Sequence, residues 1–403
     1  MLLPLLAQPT FTRHHQGQTH LKHTTPPRST LLVMLGIILL AHGYLGMRLF
    51  PALGLQGAGL LLGWLALALS SLLLPLGLAA RFISQPPWAD RLAWLGLTVM
   101  GLFSSLFVLC LLRDVSLLPL AYLLSDAAYS SWQIQSALGV FAGAGLFTLV
   151  GLINARRSAA IVDVAVLVAN LPAELVGFTI AQISDIHVGP TIKRPYLDAI
   201  VDKVNGLGAD LVAVTGDLVD GNVADLSAHT APLARLKSTH GTFFVTGNHE
   251  YYSGALSWIA ELRRLGLQVL LNEHVLLSHG GHQLVVAGVT DYGAGHFYPD
   301  HQSDAQAALA GSPDSPFKLL LAHQPRSAFK AQDLGLHLQL SGHTHGGQFF
   351  PWNFFVRFQQ PFTAGLNLLG NVWVYTSRGT GYWGPPKRLF APSEITRITL
   401  RRG

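Results

Sequence analysis

The stretch Ser341-Gly342-His343-Thr344-His345-Gly346-Gly347-Gln348 follows the run Leu336-His337-Leu338-Gln339-Leu340, where apolar and polar residues alternate as on a half-buried strand. Two imidazoles one residue apart, set among glycines at a strand end, read as a loop whose backbone can come close to a ligand. In extended backbone alternate side chains point the same way, so His343 and His345 are expected to aim at one place. Alone, a His-x-His is a weak signal that two solvated histidines would explain. Its weight comes from the company upstream.

Four earlier loops have the same character. Ser184-Asp185-Ile186-His187 closes the run Phe178 to Ile183, with Asp185 and His187 expected on one face. Thr215-Gly216-Asp217 closes Leu211 to Val214, and Asp220 follows three residues on. Thr246-Gly247-Asn248-His249-Glu250 closes Thr242 to Val245, and Ala322-His323 closes Lys318 to Leu321. Helix-like stretches at Pro195 to Leu207, Leu226 to Lys237 and Ala255 to Leu265 lie between them. Further strands are expected at Ile161 to Val168, Gln283 to Val289, Val372 to Tyr375 and Ile395 to Leu400. This alternation predicts an α/β domain, a two-sheet sandwich flanked by helices. Ligand-type side chains at five successive strand ends place a crevice at one edge of the sheets. Oxygen and nitrogen ligands without sulfur suit Mn, Fe or Zn. Seven such groups exceed what one tetrahedral ion needs and suit two ions sharing a carboxylate.

These blocks resemble those of the calcineurin-like metallophosphoesterase superfamily. Ser184-Asp185-Ile186-His187, the Gly342 to Gln348 loop and Ser377-Arg378-Gly379-Thr380-Gly381 are similar to its branch of membrane-associated bacterial phosphohydrolases. The resemblance covers roughly Val176 to Leu400 and implies a specific assignment. Asp185, His187 and His345 would hold one ion, Asn248, His323 and His343 the other, and Asp217 would bridge both. His249 would sit near the scissile phosphate as the catalytic group, and Glu250, more often Asp in relatives, should leave the metals untouched. Paired cations in such a site activate water and clamp phosphoryl oxygens during in-line attack. Asp220 is read either as a residue orienting a ligand or as a helix N-cap. Arg378, in a glycine-rich loop, is a candidate partner for phosphate, and Asp291-Tyr292 a candidate pocket wall or turn. His229, His240, His274, His279, His282, His296, His301 and His337 match no block and are read as surface or satisfied histidines.

Before Arg156 the composition is different. Half of the 403 residues are hydrophobic, only 12% are charged, and most of the apolar excess falls in this first part. Uncharged runs at Leu31 to Met47, Leu49 to Ala80, Leu92 to Leu112 and Ala137 to Ile153 each approach the ~20 residues that cross a hydrocarbon core as helix. The expected organisation is a flexible tail at 1–30, a membrane anchor of about four transmembrane helices at 31–157, and a metallophosphoesterase domain at 158–403. No cleaved signal peptide is expected, because the first apolar run begins only after the tail. His14, His15, His20 and His23 in that tail are read as solvated, and Leu117 to Leu124, with Pro119, as an interfacial segment too short to span. Arg13, Lys22, Arg28, Arg81, Arg91, Arg156 and Arg157 fall on one side of such an arrangement, against Arg48 and Arg113 on the other. The positive-inside rule then puts both ends, and the domain, on the cytoplasmic face of an inner membrane.

Composition also excludes several classes. Cys110 is the single cysteine, so neither an intrachain disulfide nor a thiolate metal cluster can form. No long Lys/Arg run marks a nucleic-acid groove, which argues against a nuclease. The uncharged spans argue against an ion path, and hence against a transporter. The reading is an enzyme cleaving a phosphoester or pyrophosphate bond; the alternative is a membrane sensor whose domain binds metal or nucleotide without turnover. Aromatics with bases in Phe349 to Phe358 and Tyr382 to Arg388 read equally as core cover or as an interfacial surface, the second suiting a lipid-linked substrate.

Overall fold

The computed structural model describes residues 28–80 and 87–403 and divides into two compact units, Met1–Leu149 and Val150–Gly403. Most of the expected tail, its histidines and Arg81 lie outside the described residues.

The first unit is helical: α1 (Arg28–Leu49), α2 (Gly57–Ala79), α3 (Trp88–Leu123) and α4 (Asp126–Arg156), whose final turns are counted with the second unit. All four are long and apolar enough to cross a membrane. Gly77 and Gly96 face each other where α2 and α3 cross, and a Cβ on either would collide with the other's backbone, so the missing side chains permit the contact. Two expectations are corrected. The 117–124 segment is no separate interfacial piece, because α3 runs unbroken through Pro119 for 36 residues, roughly 54 Å of helix. Arg48 and Arg113, expected in the loops of one side, lie instead inside α1 and α3, and Asp114 of α3 accepts from Tyr44 Oη at 2.7 Å and from Arg48 Nε at 2.6 Å. Arg113 is buried and donates to Ser136 Oγ at 3.0 Å.

The second unit is built on twelve strands. The first sheet holds β1 (Ala160–Val168), β2 (Thr179–Ile183), β3 (Leu211–Val214), β4 (Thr242–Phe244) and β5 (Gln268–Val269). The second holds β6 (Glu273–His279), β7 (His282–Gly288), β8 (Lys318–Leu321), β9 (Leu338–Ser341), β10 (Gly365–Leu369) and β11 (Val372–Thr376), and β12 (Glu394–Arg402) returns to the first. The orders are β1-β12-β2-β3-β4-β5 and β10-β11-β9-β8-β7-β6. β2 to β5 run parallel, as do β7, β8, β9 and β11, while β12 against β2, β6 against β7 and β10 against β11 are antiparallel. Both sheets are therefore mixed.

The layering follows from which faces are apolar. Ile180, Leu211, Ala213 and Phe243 from one sheet meet Val286, Leu319, Leu338 and Tyr375 from the other, all buried, in the core between them. Across the outer face of the first sheet pack α5 (Arg194–Asn205), through Leu197, Ile200, Val201 and Val204, and α8 (Ala255–Arg264), through Trp258, Ile259 and Leu262. Between those two helices in sequence lie α6 (Val223–Thr230) and α7 (Asn248–Tyr252). Ala305, Ala308, Leu309 and Ala331 cover the outer face of the second sheet. Strands buried on both faces lose the polar alternation of exposed ones. Parallel β2, β3, β4, β8 and β9 all end at the same edge, and the chemistry gathers there.

Candidate metal centre

Asp185 and His187 follow β2, Asp217 follows β3, Asn248 and His249 open α7 after β4, His323 follows β8, and His343 and His345 follow β9. The fold converges these loops into three overlapping groups of ligand atoms, each within 4.8 Å: Asp185, His187 and His345; His187, Asp217 and His249; Asp217, His323 and His343. Asp217 lies at the middle. Its Oδ2 is 3.1 Å from His323 Nε2 and 3.9 Å from both His187 Nε2 and His249 Nε2. Its Oδ1 accepts the His249 backbone N–H at 2.9 Å.

His343 and His345 do not aim at one place, as extended backbone would have them do. β9 ends at Ser341, and both histidines have positive φ, +73° and +50°. The turn splits them: His343 Nδ1 stands 3.2 Å from His323 Nε2, whereas His345 Nε2 stands 3.1 Å from His187 Nε2 and 3.6 Å from Asp185 Oδ1. Asp185, His187 and Asp217 have positive φ too, +53°, +57° and +52°. A non-glycine residue in the left-handed region costs about 1–3 kcal/mol and persists where the surroundings over-determine it. Five such residues in one cluster show a backbone bent to aim side chains inward.

The loops approach so closely that glycine is required beside them. Gly216 has φ +84°, and a Cβ there would meet the Gly247 backbone and the His323 ring. A Cβ on Gly342 would strike Ser184 Oγ and Asp185 Oδ2.

The donor set fits metal binding. Two buried oxygens, Asp185 Oδ2 and Asn248 Oδ1, have no hydrogen-bond partner among the described residues. An unsatisfied buried polar atom costs roughly 1–3 kcal/mol, which coordination would remove. Asn248 sits between Gly247, packed against Asp217, and His249, bonded to it. The His323 Nδ1–H donates to the Thr215 carbonyl at 2.7 Å, turning Nε2 toward Asp217.

Charge is strongly arranged. Burial would raise the Asp217 carboxyl, but the charges of His323, His249 and His187 hold it well below its usual range. Burial dominates at Asp185 and raises it. Burial would lower His249, yet Asp217 and Asp220 overcome that and raise it to about 9. His343 is lowered to about 3, first by burial and then by the His323 charge, with Arg326 contributing.

Asp220 is no helix cap; Asn222 caps α6 by accepting from Asp225 N. Its Oδ1 faces Nδ1 of both His187, at 3.3 Å, and His249. Tyr252 and Trp383 wall the His249 ring at centroid distances of 5.2 and 5.5 Å. Arg378 is engaged elsewhere, donating through Nη1 to Glu394 at 3.0 Å, so its candidacy as a phosphate partner is not supported. Asp291 is a turn residue, accepting from Gly293 N at 2.8 Å, and it also accepts from Gln324 beside His323.

Sequence reasoning missed two buried groups. Glu250 accepts backbone N–H groups from Asp217, Leu218 and Gly247 at 3.0, 2.8 and 2.7 Å, tying two ligand loops together. Its place three residues after Gly247 at a helix start was the available signal. Arg388 is fully buried and donates to the carbonyls of His345, Arg378, Gly381 and Ala391 and to His345 Nδ1. With Lys387 also buried, the bases after Trp383 are interior rather than interfacial. The aromatic segment divides likewise: Phe349 is buried, while Trp352, Phe354, Phe355 and Phe358 are 44–77% exposed.

Two stacked mixed sheets that present carboxylate, amide and imidazole groups at shared strand ends define a metallophosphoesterase-like domain. The family described as calcineurin-like phosphoesterase matches residues 178–347. A Danio rerio transmembrane protein with metallophosphoesterase domain is 36% identical over 329 residues, 79% of this chain and 75% of its own. A Bos taurus protein of the same description is 42% identical over 268 residues, 64% of this chain and 60% of its own. An uncharacterized metallophosphoesterase of Helicobacter pylori is 41% identical over 223 residues, 55% and 59% respectively. The chain belongs to the calcineurin-like phosphoesterase family.

Proposed function

We propose that this chain is a membrane-anchored phosphohydrolase that uses two transition-metal ions, Mn, Fe or Zn, to cleave a phosphoester or pyrophosphate bond. The observation that carries the reading is Asp217 Oδ2, buried with imidazole nitrogens on several sides of it, while partnerless oxygens of Asp185 and Asn248 complete the set. Asp185, His187 and His345 would hold one ion, and Asn248, His323 and His343 the other, with Asp217 shared. Bound ions would supply Lewis acidity and an activated water. The rest falls to the protein. Asp220 keeps the His249 ring oriented and charged, so that its Nε2–H can donate to the leaving oxygen. Trp383 and Tyr252 restrict that ring to one face.

Residues 31–157 are the anchor and 158–403 the catalytic domain, with both chain ends on the cytoplasmic side of the inner membrane, as the arginine distribution favours. The exposed aromatics at 352–358, with Arg357 among them, suit contact with a bilayer surface and so a lipid-linked phosphoester.

The test is purification in detergent, metal analysis, and a screen of aryl phosphomonoesters and phosphodiesters beside lipid-linked pyrophosphates. Asp217→Asn and Asn248→Ala should each reduce metal content and lower turnover at least a hundredfold. Activity that survives both substitutions refutes the site.

A further inference from the structure

Past His323 the chain turns through Pro325–Ser327 into the short helix Ala328–Ala331, which sets Arg326 and Lys330 about one turn apart on the same face. Both cations stand over one ring. Arg326 Cζ is 5.6 Å and Lys330 Nζ 4.7 Å from the Tyr292 centroid. Arg326 is held in place by Gln360 Oε1, 3.3 Å from its Nε, and by the Gln359 carbonyl. Among the described residues no carboxylate lies within ion-pair distance of either cation. Two like charges gathered at one aromatic face without a counter-charge form a site that favours an anion.

This shelf is fastened to the loops of the metal centre. Asp291, beside Tyr292, accepts from Gln324 Nε2 at 3.0 Å, and its N–H donates to Thr246 Oγ1 at 3.2 Å. Gln324 adjoins His323 and accepts from Gln360 Nε2 at 3.2 Å, while Thr246 begins the loop that carries Asn248. Arg326 is thus tied by hydrogen bonds through Gln360 and Gln324 to Asp291, beside the ring, and to the candidate ligand loops, while Lys330 is placed by the short helix.

The geometry points to a second phosphoryl subsite: Arg326 and Lys330, over Tyr292, take the non-scissile phosphoryl group of a substrate that carries two, while the metal centre takes the scissile one. The subsite rests on the phosphohydrolase reading above and deepens it, naming diphosphates as the substrate class. Lys330 is exposed and makes no hydrogen bond among the described residues, so its replacement should leave the fold intact.

The test uses the full chain in detergent, loaded with Mn²⁺, and calorimetric titration with methylphosphonate and methylenebisphosphonate, neither of which requires turnover. The native protein should bind the bisphosphonate at least tenfold more tightly. Lys330→Ala and Arg326→Ala should each remove about tenfold of that affinity and leave methylphosphonate binding unchanged, and Lys330→Arg should retain it. A native protein without the preference, a preference that survives both alanine variants, or equal losses on the two ligands would overturn the subsite. Intact preference without turnover of any aryl phosphate would count against the catalytic reading alone. Titrating α,β-methylene-ADP and a farnesyl methylenebisphosphonate separates the two sources: the tighter ligand, if weakened by Lys330→Ala, identifies a soluble or a lipid-borne diphosphate.

Discussion

Asp220 and His249 are joined through a carboxylate–imidazole contact, Oδ1 to Nδ1, inside a protein whose candidate metal ligands begin on the neighbouring ring. The same oxygen also faces His187 Nδ1 at 3.3 Å, so one carboxylate orients both a candidate metal ligand and the candidate proton donor. Replacing Asp220 with Asn removes the charge but keeps the shape. It should lower kcat about 10–100-fold and weaken metal affinity measurably, as the loss of a carboxylate behind a metal-bound histidine does elsewhere. Steady-state kinetics at saturating Mn²⁺, beside metal titrations, will separate the two effects.

Glu250 fastens the Asp217 loop to the Gly247 loop through three backbone donors. Glu250→Ala would strand all three and should destabilise the second unit by roughly 3 kcal/mol or more. Glu250→Gln retains an acceptor and should cost less. Denaturant unfolding of the two variants will rank them.

Metal removal should also be felt as stability. The cluster brings Asp185 and Asp217 together with partly strained backbone, and ions at 100 times their dissociation constant add about 2.7 kcal/mol. Thorough chelation should therefore lower the melting temperature by about 5–10 °C, and excess Mn²⁺ should restore it. An unchanged melting curve would contradict the assigned ligands.

Trp352 and Phe354 are 44% and 52% exposed and project from a short helix close behind the histidine loop. Changing both to Ser should cut turnover of a lipid-borne ester in vesicles about tenfold while a small aryl phosphate keeps its rate. Equal losses on both substrates would remove the bilayer from the account.

The sequence made the strand-end loops legible because each joins a short apolar run to a ligand-type residue, three of them through a glycine, as in Val214-Thr215-Gly216-Asp217. It showed less where two states share one pattern. His343 and His345 look alike by spacing, and only the left-handed turn between them sends one toward His323 and the other toward His187. Arg388 resembled a surface base, since nothing local announces the four carbonyls and the ring nitrogen that surround it. Pro119 resembled a break, yet a proline can be carried inside a long helix, and α3 continues through it. β6 and β10 escaped notice because their polar residues, such as His274, Ser278 and Asn367, interrupt the apolar runs expected of strands.

The placement of β12 has a consequence for biogenesis. Glu394–Arg402 inserts between β1 and β2, pairing with Ala160–Val168 on one side and with Thr179–Gln182 on the other. Strands made early during synthesis must therefore wait, with those edges unpaired, until Glu394–Arg402 has left the ribosome. Chains truncated before this zipper closes would offer those edges to chaperones and quality-control proteases, so a nonsense codon near residue 393 should prove as damaging as one far upstream.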